Sequence, residues 1–170
     1  MKKMIKLAVG VAAFSATAAI AGPSPQTGNL SVTASVSDSC ALSSTTAVAF
    51  GAYDPLSATN NDNTGSVTVR CTKGTVYHVA LGQGSNPTGA STCTTPARQM
   101  SDGGTNRLGY DLYANAGRTT VWGCTTSNDV DVTSASSAAN AMTVYGRIPA
   151  GQDVATGGYS DTVVVTVTFP

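Results

Sequence analysis

The sequence predicts an all-β protein, an antiparallel sandwich or barrel of seven or eight short strands, and three observations carry that expectation. All nine acidic residues are Asp, Glu is absent, and three of the four Lys lie within the first six positions. Such a chain lacks most of the residues that favour helix surfaces. Thr, Val, Ser, Ala, Gly and Asn stand in their place, a composition of strands and turns. Apolar residues also recur with period two in short runs bounded by Gly, Pro, Asn and Asp. Beyond the N-terminus, no run of about a dozen residues combines helical periodicity with capping signals. A hydrophobic fraction of 41% is enough to fill a core, and 170 residues suit one domain.

The first 21 residues are set apart from that pattern. Met1 to Lys6 is a short basic start, Leu7 to Ile20 is apolar or small, and Ala19-Ile20-Ala21 fits a cleavage site. This is the pattern of a secretory signal peptide over residues 1–21. Its apolar stretch of about 14 residues is shorter than the roughly 20 needed to span a bilayer. No later segment is apolar enough to do so, and no membrane insertion is expected after cleavage. Removal leaves six basic residues (Arg70, Lys73, Arg98, Arg107, Arg118, Arg147) against nine Asp, a balance of 6 − 9 = −3. That balance gives no electrostatic case for nucleic acid as a partner.

The elements follow in order. Gly22 to Thr27, with Pro23 and Pro25, reads as an extended lead-in. Leu30 to Ser37 alternates apolar and hydroxyl residues and is expected to form a strand. Further strands are expected at Ala47–Phe50, Ser66–Cys71, Thr75–Leu81, Leu108–Tyr113, Thr119–Trp122, Met142–Ile148 and Thr162–Phe169. Turns are expected at Asp54-Pro55, Asn60–Asn63, Gly82–Gly89, Ser101–Asn106 and Pro149–Gly151. Ser134–Ala141 has room for one short helical turn. The last strand runs to within one residue of the C-terminus, which leaves it an edge with no following strand to pair. An open edge is a template for another chain, so the strand-like segment before Cys40 is a candidate for addition to a second copy.

Export makes the cysteines readable as disulfides. Cys40, Cys71, Cys93 and Cys124 admit three pairings. Their even spacing favours Cys40 with Cys71 and Cys93 with Cys124, although spacing alone does not decide between pairings. Each such loop would contribute roughly 3–4 kcal/mol in the chain-entropy model. A zinc site of the close-spaced cysteine kind would need a C-x-x-C pair or a second His, and the chain has neither.

Residues that suggest catalysis are sparse. His78 is the only histidine and lies in a strand pattern, with Tyr77 and Val79 on the other parity. No G-x-S-x-G element presents a nucleophilic serine beside it. Asp129 and Asp131 read as a solvated loop or edge rather than a pair of catalytic carboxylates. The Asn60–Asn63 cluster and Asp129-Val130-Asp131 lack the Gly and closing Glu of an EF-hand loop. Gly82-Gln83-Gly84 lacks the third glycine of a dinucleotide-binding turn. Trp122, near Tyr110 and Tyr113, suits core packing better than a sugar-stacking platform. No catalytic residue, cofactor or metal is expected, and the chain reads as a non-enzyme.

Four blocks together are similar to the spore coat U domain family. They are Ala49–Ser57, Thr64–Thr75, Leu108–Tyr113 with Val121-Trp122-Gly123, and Val144–Gln152 continuing through Gly157–Val163. The resemblance covers residues 30–169 in the family's order. It implies a structural subunit of an archaic chaperone-usher pilus, supporting adhesion and biofilm formation. The alternative within the family is a non-fimbrial spore-coat or extracellular matrix protein. The implied fold is an immunoglobulin-like β-sandwich lacking its last strand. A periplasmic chaperone would lend that strand first, and at an outer-membrane usher the next identical or related pilin would replace it, giving a homopolymer at the cell surface. On this reading residues 22–37 are an N-terminal extension and donor strand, and residues 38–170 are the pilin domain. Leu30, Val32, Ala34 and Val36 become the donor-strand anchors, worth roughly 5–9 kcal/mol when buried. The family's usual disulfide corresponds to Cys40 with Cys71, whereas Cys93 with Cys124 rests on spacing.

Overall fold

The computed structural model describes residues 22–170, so the signal-peptide reading of residues 1–21 lies outside the described residues. The chain divides into two units, Met1–Ser35 and Val36–Pro170. Within the first unit, residues 22–35 form no strand, and Leu30 and Val32 are 88% and 85% exposed. The strand expected over Leu30–Ser37 is therefore corrected. Alternation prepares a segment for a sheet, but its N–H and C=O groups pair with no ladder among the described residues.

The second unit carries eight strands: β1 Cys40–Thr46, β2 Asn61–Cys71, β3 Val76–Leu81, β4 Arg98–Ser101, β5 Arg107–Tyr113, β6 Val130–Thr133, β7 Asn140–Ile148 and β8 Val165–Thr168. They form a five-stranded sheet, β1-β2-β7-β5-β4, and a three-stranded sheet, β6-β3-β8. Every strand-to-strand pairing is antiparallel. Alternate residues of β2, β5 and β7 face the three-stranded sheet, giving a core of Val67, Val69, Leu108, Leu112, Val144 and Ile148 from one layer and Tyr77, Val79 and Leu81 from the other. Trp122 fills the centre at 1% exposure, and its indole N–H donates to the Val79 carbonyl at 2.7 Å. This places it in the core and removes it as a sugar platform.

Several boundaries differ from expectation for physical reasons. Asn60–Asn63 is not a turn, because β2 begins at Asn61. The Asn61 amide donates to the Phe50 and Ala52 carbonyls, and the Asn63 amide donates to the Ala49 carbonyl. Those side chains hold residues 49–52 across the sheet, so Ala47–Phe50 is an irregular segment rather than a strand. Gly65 and Gly146 leave the room it needs, since a Cβ at Gly146 would run into Val48 and Phe50. Thr119–Trp122 contributes a single bridge, Val121 to Tyr113. Ser134–Ala139 consists of bends and coil without a helical turn. β1, β4 and β6 form where the sequence pattern predicts no strand.

Two disulfides close the unit, Cys40–Cys71 with S–S 2.03 Å and Cys93–Cys124 with S–S 1.93 Å. The first joins directly opposed residues of β1 and β2. The chain leading into β1 is held by the body of the domain. The Thr72 hydroxyl donates to the Ser37 carbonyl at 3.3 Å, and the buried Thr75 hydroxyl donates to the Asp38 carboxylate at 2.5 Å.

Candidate functional site

An apolar groove of about 670 Å³ opens between the two sheets, on the side where β1 and β8 are the outermost strands. Among the described residues β1 pairs with β2 alone and β8 with β3 alone, so each offers an unpaired backbone edge. The floor of the groove is built from Val67, Leu81, Leu112 and Val144, and its flanks from Leu42 and Val165. Leu42 is 45% exposed, an unusual condition for a Leu whose cross-strand partner Val69 is fully buried. Two edges with a shared apolar floor fit an extended segment that supplies main-chain hydrogen bonds and alternating apolar side chains.

One end of the groove is held by Asp161. Its carboxylate accepts from the Tyr110 hydroxyl at 2.6 Å and from the Ser85 backbone N–H at 2.8 Å. Burial, then the Asp161 carboxylate, hold the Tyr110 hydroxyl well above the usual phenol range. Nearby Arg98 is 1% exposed and donates to the carbonyls of Gly82, Leu81 and Trp122 at 2.8, 2.9 and 2.7 Å. Burial lowers its pKa, opposed by Tyr110, Asp111 and Asp161. A buried Arg stitching three carbonyls is invisible to a pattern reading, because Pro96-Ala97-Arg98-Gln99 looks like surface loop.

The residues singled out from sequence have different surroundings. Leu30, Val32, Ala34 and Val36 are all exposed and belong to no strand. Asp62, part of the cluster weighed for calcium, is engaged by arginines instead. Arg147 Nε meets it at 2.8 Å and Arg118 Nη1 at 3.3 Å, and the hydrogen bond from Arg147 holds its carboxyl below the usual range. His78, Asp129 and Asp131, judged separately in sequence, come together at the far edge of the three-stranded sheet. His78 Nδ1 lies 2.6 Å from Asp131 and 4.0 Å from Asp129. Burial, then the Asp131 charge, raises the Asp129 carboxyl. No local pattern links position 78 to position 131; only the β3–β6 register does.

The Spore Coat Protein U domain matches residues 26–166. The chain belongs to that family. Protein U of Myxococcus xanthus is 37% identical over 180 residues, covering 98% of this chain and all of that protein. A solved chain from a chaperone–tip adhesion subunit pre-assembly complex of the archaic chaperone-usher Csu pili of Acinetobacter baumannii shares the fold, with a TM-score of 0.56 and 23% identity. The match covers 79% of this chain and 40% of that one, so this chain spans less than half the length of that structural relative. As a Spore Coat Protein U domain, the chain is an all-β sandwich of two antiparallel sheets with an apolar groove between the edge strands β1 and β8.

Proposed function

We propose that this chain is a structural subunit of a surface filament assembled by the chaperone-usher route, with donor-strand exchange as the linkage. The observation that carries the reading is the pairing of an unfilled apolar groove with an exposed apolar segment of the right pattern. The groove is flanked by two open strand edges. Leu30, Val32, Ala34 and Val36 present alternate side chains, the spacing by which one face of an added strand fills successive pockets. Residues 22–37 act as donor for a neighbouring copy and residues 38–170 as acceptor, with residues 1–21 removed on export. The hydrogen bonds at Ser37 and Asp38 support that boundary, because the domain grips the chain just after Val36. Before assembly a periplasmic chaperone fills the groove, and an outer-membrane usher exchanges it for the next subunit. The product is a cell-surface pilus serving adhesion and biofilm formation.

The experiment is deletion of Gly22–Ser37 followed by negative-stain electron microscopy of the cells. Loss of filaments with secretion retained is the expected result, and unchanged filaments would overturn the reading. A non-fimbrial coat or matrix protein is the second reading, favoured by the similarity to Protein U. Under it, the gene would stand without neighbouring chaperone and usher genes.

A further inference from the structure

The edge of the sandwich remote from the groove carries a second site. β6 is a four-residue edge strand whose sole ladder partner among the described residues is β3. His78 and Asp131 are directly paired across that ladder, and Asp129 lies just before β6, two residues ahead of Asp131. The ligand atoms of all three side chains lie within 4.8 Å of one another. The Asp129 side chain is only 7% exposed, and its hydrogen-bonding side-chain neighbour is the Asp131 carboxyl. What faces it is Asp131, another carboxylate, and the His78 ring at 4.0 Å. A carboxylate shielded from water and set beside a second negative charge is unfavourable until a proton or a cation neutralises it, and a cation also engages the imidazole nitrogen beside them.

We propose that His78, Asp129 and Asp131 bind a first-row divalent cation of the zinc class. One imidazole nitrogen and two carboxylates suit zinc or manganese better than calcium, which prefers six to eight oxygens. A tetrahedral ion about 2.1 Å from each ligand holds ligand atoms ~3.4 Å apart. The 2.6 Å and 4.0 Å separations bracket that spacing, so small side-chain rotations suffice. His78 and Asp131 are 38% and 64% exposed, which leaves a path from solvent and room for a water as fourth ligand. Bound there, the ion ties β6 to the central strand of its sheet without touching the groove at the β8 edge.

His78 is the only histidine, so the ring signals of an untagged full chain report directly on binding. Zinc titration followed by calorimetry and by NMR of that ring is expected to show one saturable site per chain, a shifted His78 signal and a raised melting temperature. Asp129→Asn and His78→Gln are each expected to lose saturable uptake. His78→Gln alters an outer-face side chain and is expected to fold normally, which separates loss of ligation from loss of structure. Absence of saturable zinc uptake by the native chain, or uptake unchanged in both variants, would overturn the proposal. So would calcium displacing zinc at equal concentration, since that contradicts the nitrogen-containing donor set.

Discussion

Val79 and Val167 face each other on neighbouring strands of one sheet, yet Val79 is completely buried and Val167 is half-buried. The other sheet repeats the contrast, with Val69 at 0% exposure opposite Leu42 at 45%. In each pair the inner residue has strands on both sides, while the outer one lies on an edge strand, β8 or β1, and those two strands send Val165 and Leu42 into the lining of the groove. The same residue type in the same period-two pattern is sealed on one side of the molecule and open on the other. What differs is the number of neighbouring strands. The half of the core around Trp122 is closed among the described residues, and the half between β1 and β8 borders the groove, each of those strands having a single ladder partner there.

Substitutions on the two sides are therefore expected to act on different properties. Trp122→Ala attacks the finished half and is expected to cost ~3–5 kcal/mol, read as a lowered urea midpoint, because it leaves a large cavity. It also strips the Val79 carbonyl of its indole donor.

Tyr110→Phe sits between the halves. Losing the hydrogen bond to Asp161 is expected to cost about 1–2 kcal/mol near neutral pH. The raised pKa of Tyr110 gives a further sign to check. Folded Tyr110 keeps its proton above the pH near 10 where an unfolded tyrosine loses it, so its contribution is full below that pH and falls as pH rises beyond it. Native protein is thus expected to lose stability from that region upward, and the Phe variant to lose less of it, in unfolding curves taken at stepped pH.

Val165→Ala attacks the open half, since this half-buried valine lines the groove. Half-burial makes the expected cost to the unassembled chain about 1 kcal/mol, well below full burial of a valine. Its larger consequence is expected in assembly, as faster dissociation of oligomers on dilution. Equal effects of Val165→Ala and a fully buried Val79→Ala on the unassembled chain would erase the comparison.

The finished half was also the more legible in sequence. β2, β3, β5 and β7 alternate cleanly because one face of each is sealed by the opposite sheet. β1 escaped notice because Ala41-Leu42-Ser43-Ser44-Thr45-Thr46 borders an unfilled groove and carries one large apolar residue. A bulge between Leu42 and Ser44 breaks its period as well. β4 was hidden by Arg98, whose charge suggested surface although three carbonyls accept its hydrogen bonds inside the protein. Asn61 and Asn63 imitated a turn because their amides serve the backbone of a crossing segment rather than their own. Conversely, Leu30–Ser37 has strand chemistry without a strand, because alternation sets which faces a segment would show in a sheet and not whether a ladder is there to receive it. The His78–Asp129–Asp131 cluster depended on register between positions 53 residues apart, and nothing local encodes that.

The account turns on whether residues 30–36 of one copy fill the groove of another. The most direct measurement is an unheated SDS gel of the purified chain beside a Val32→Asp, Val36→Asp double variant. The account predicts a ladder of multimers for the native chain that collapses to monomer on heating, and monomer alone for the variant. A ladder that persists unchanged in the double variant, or a native chain that runs only as monomer, would contradict it.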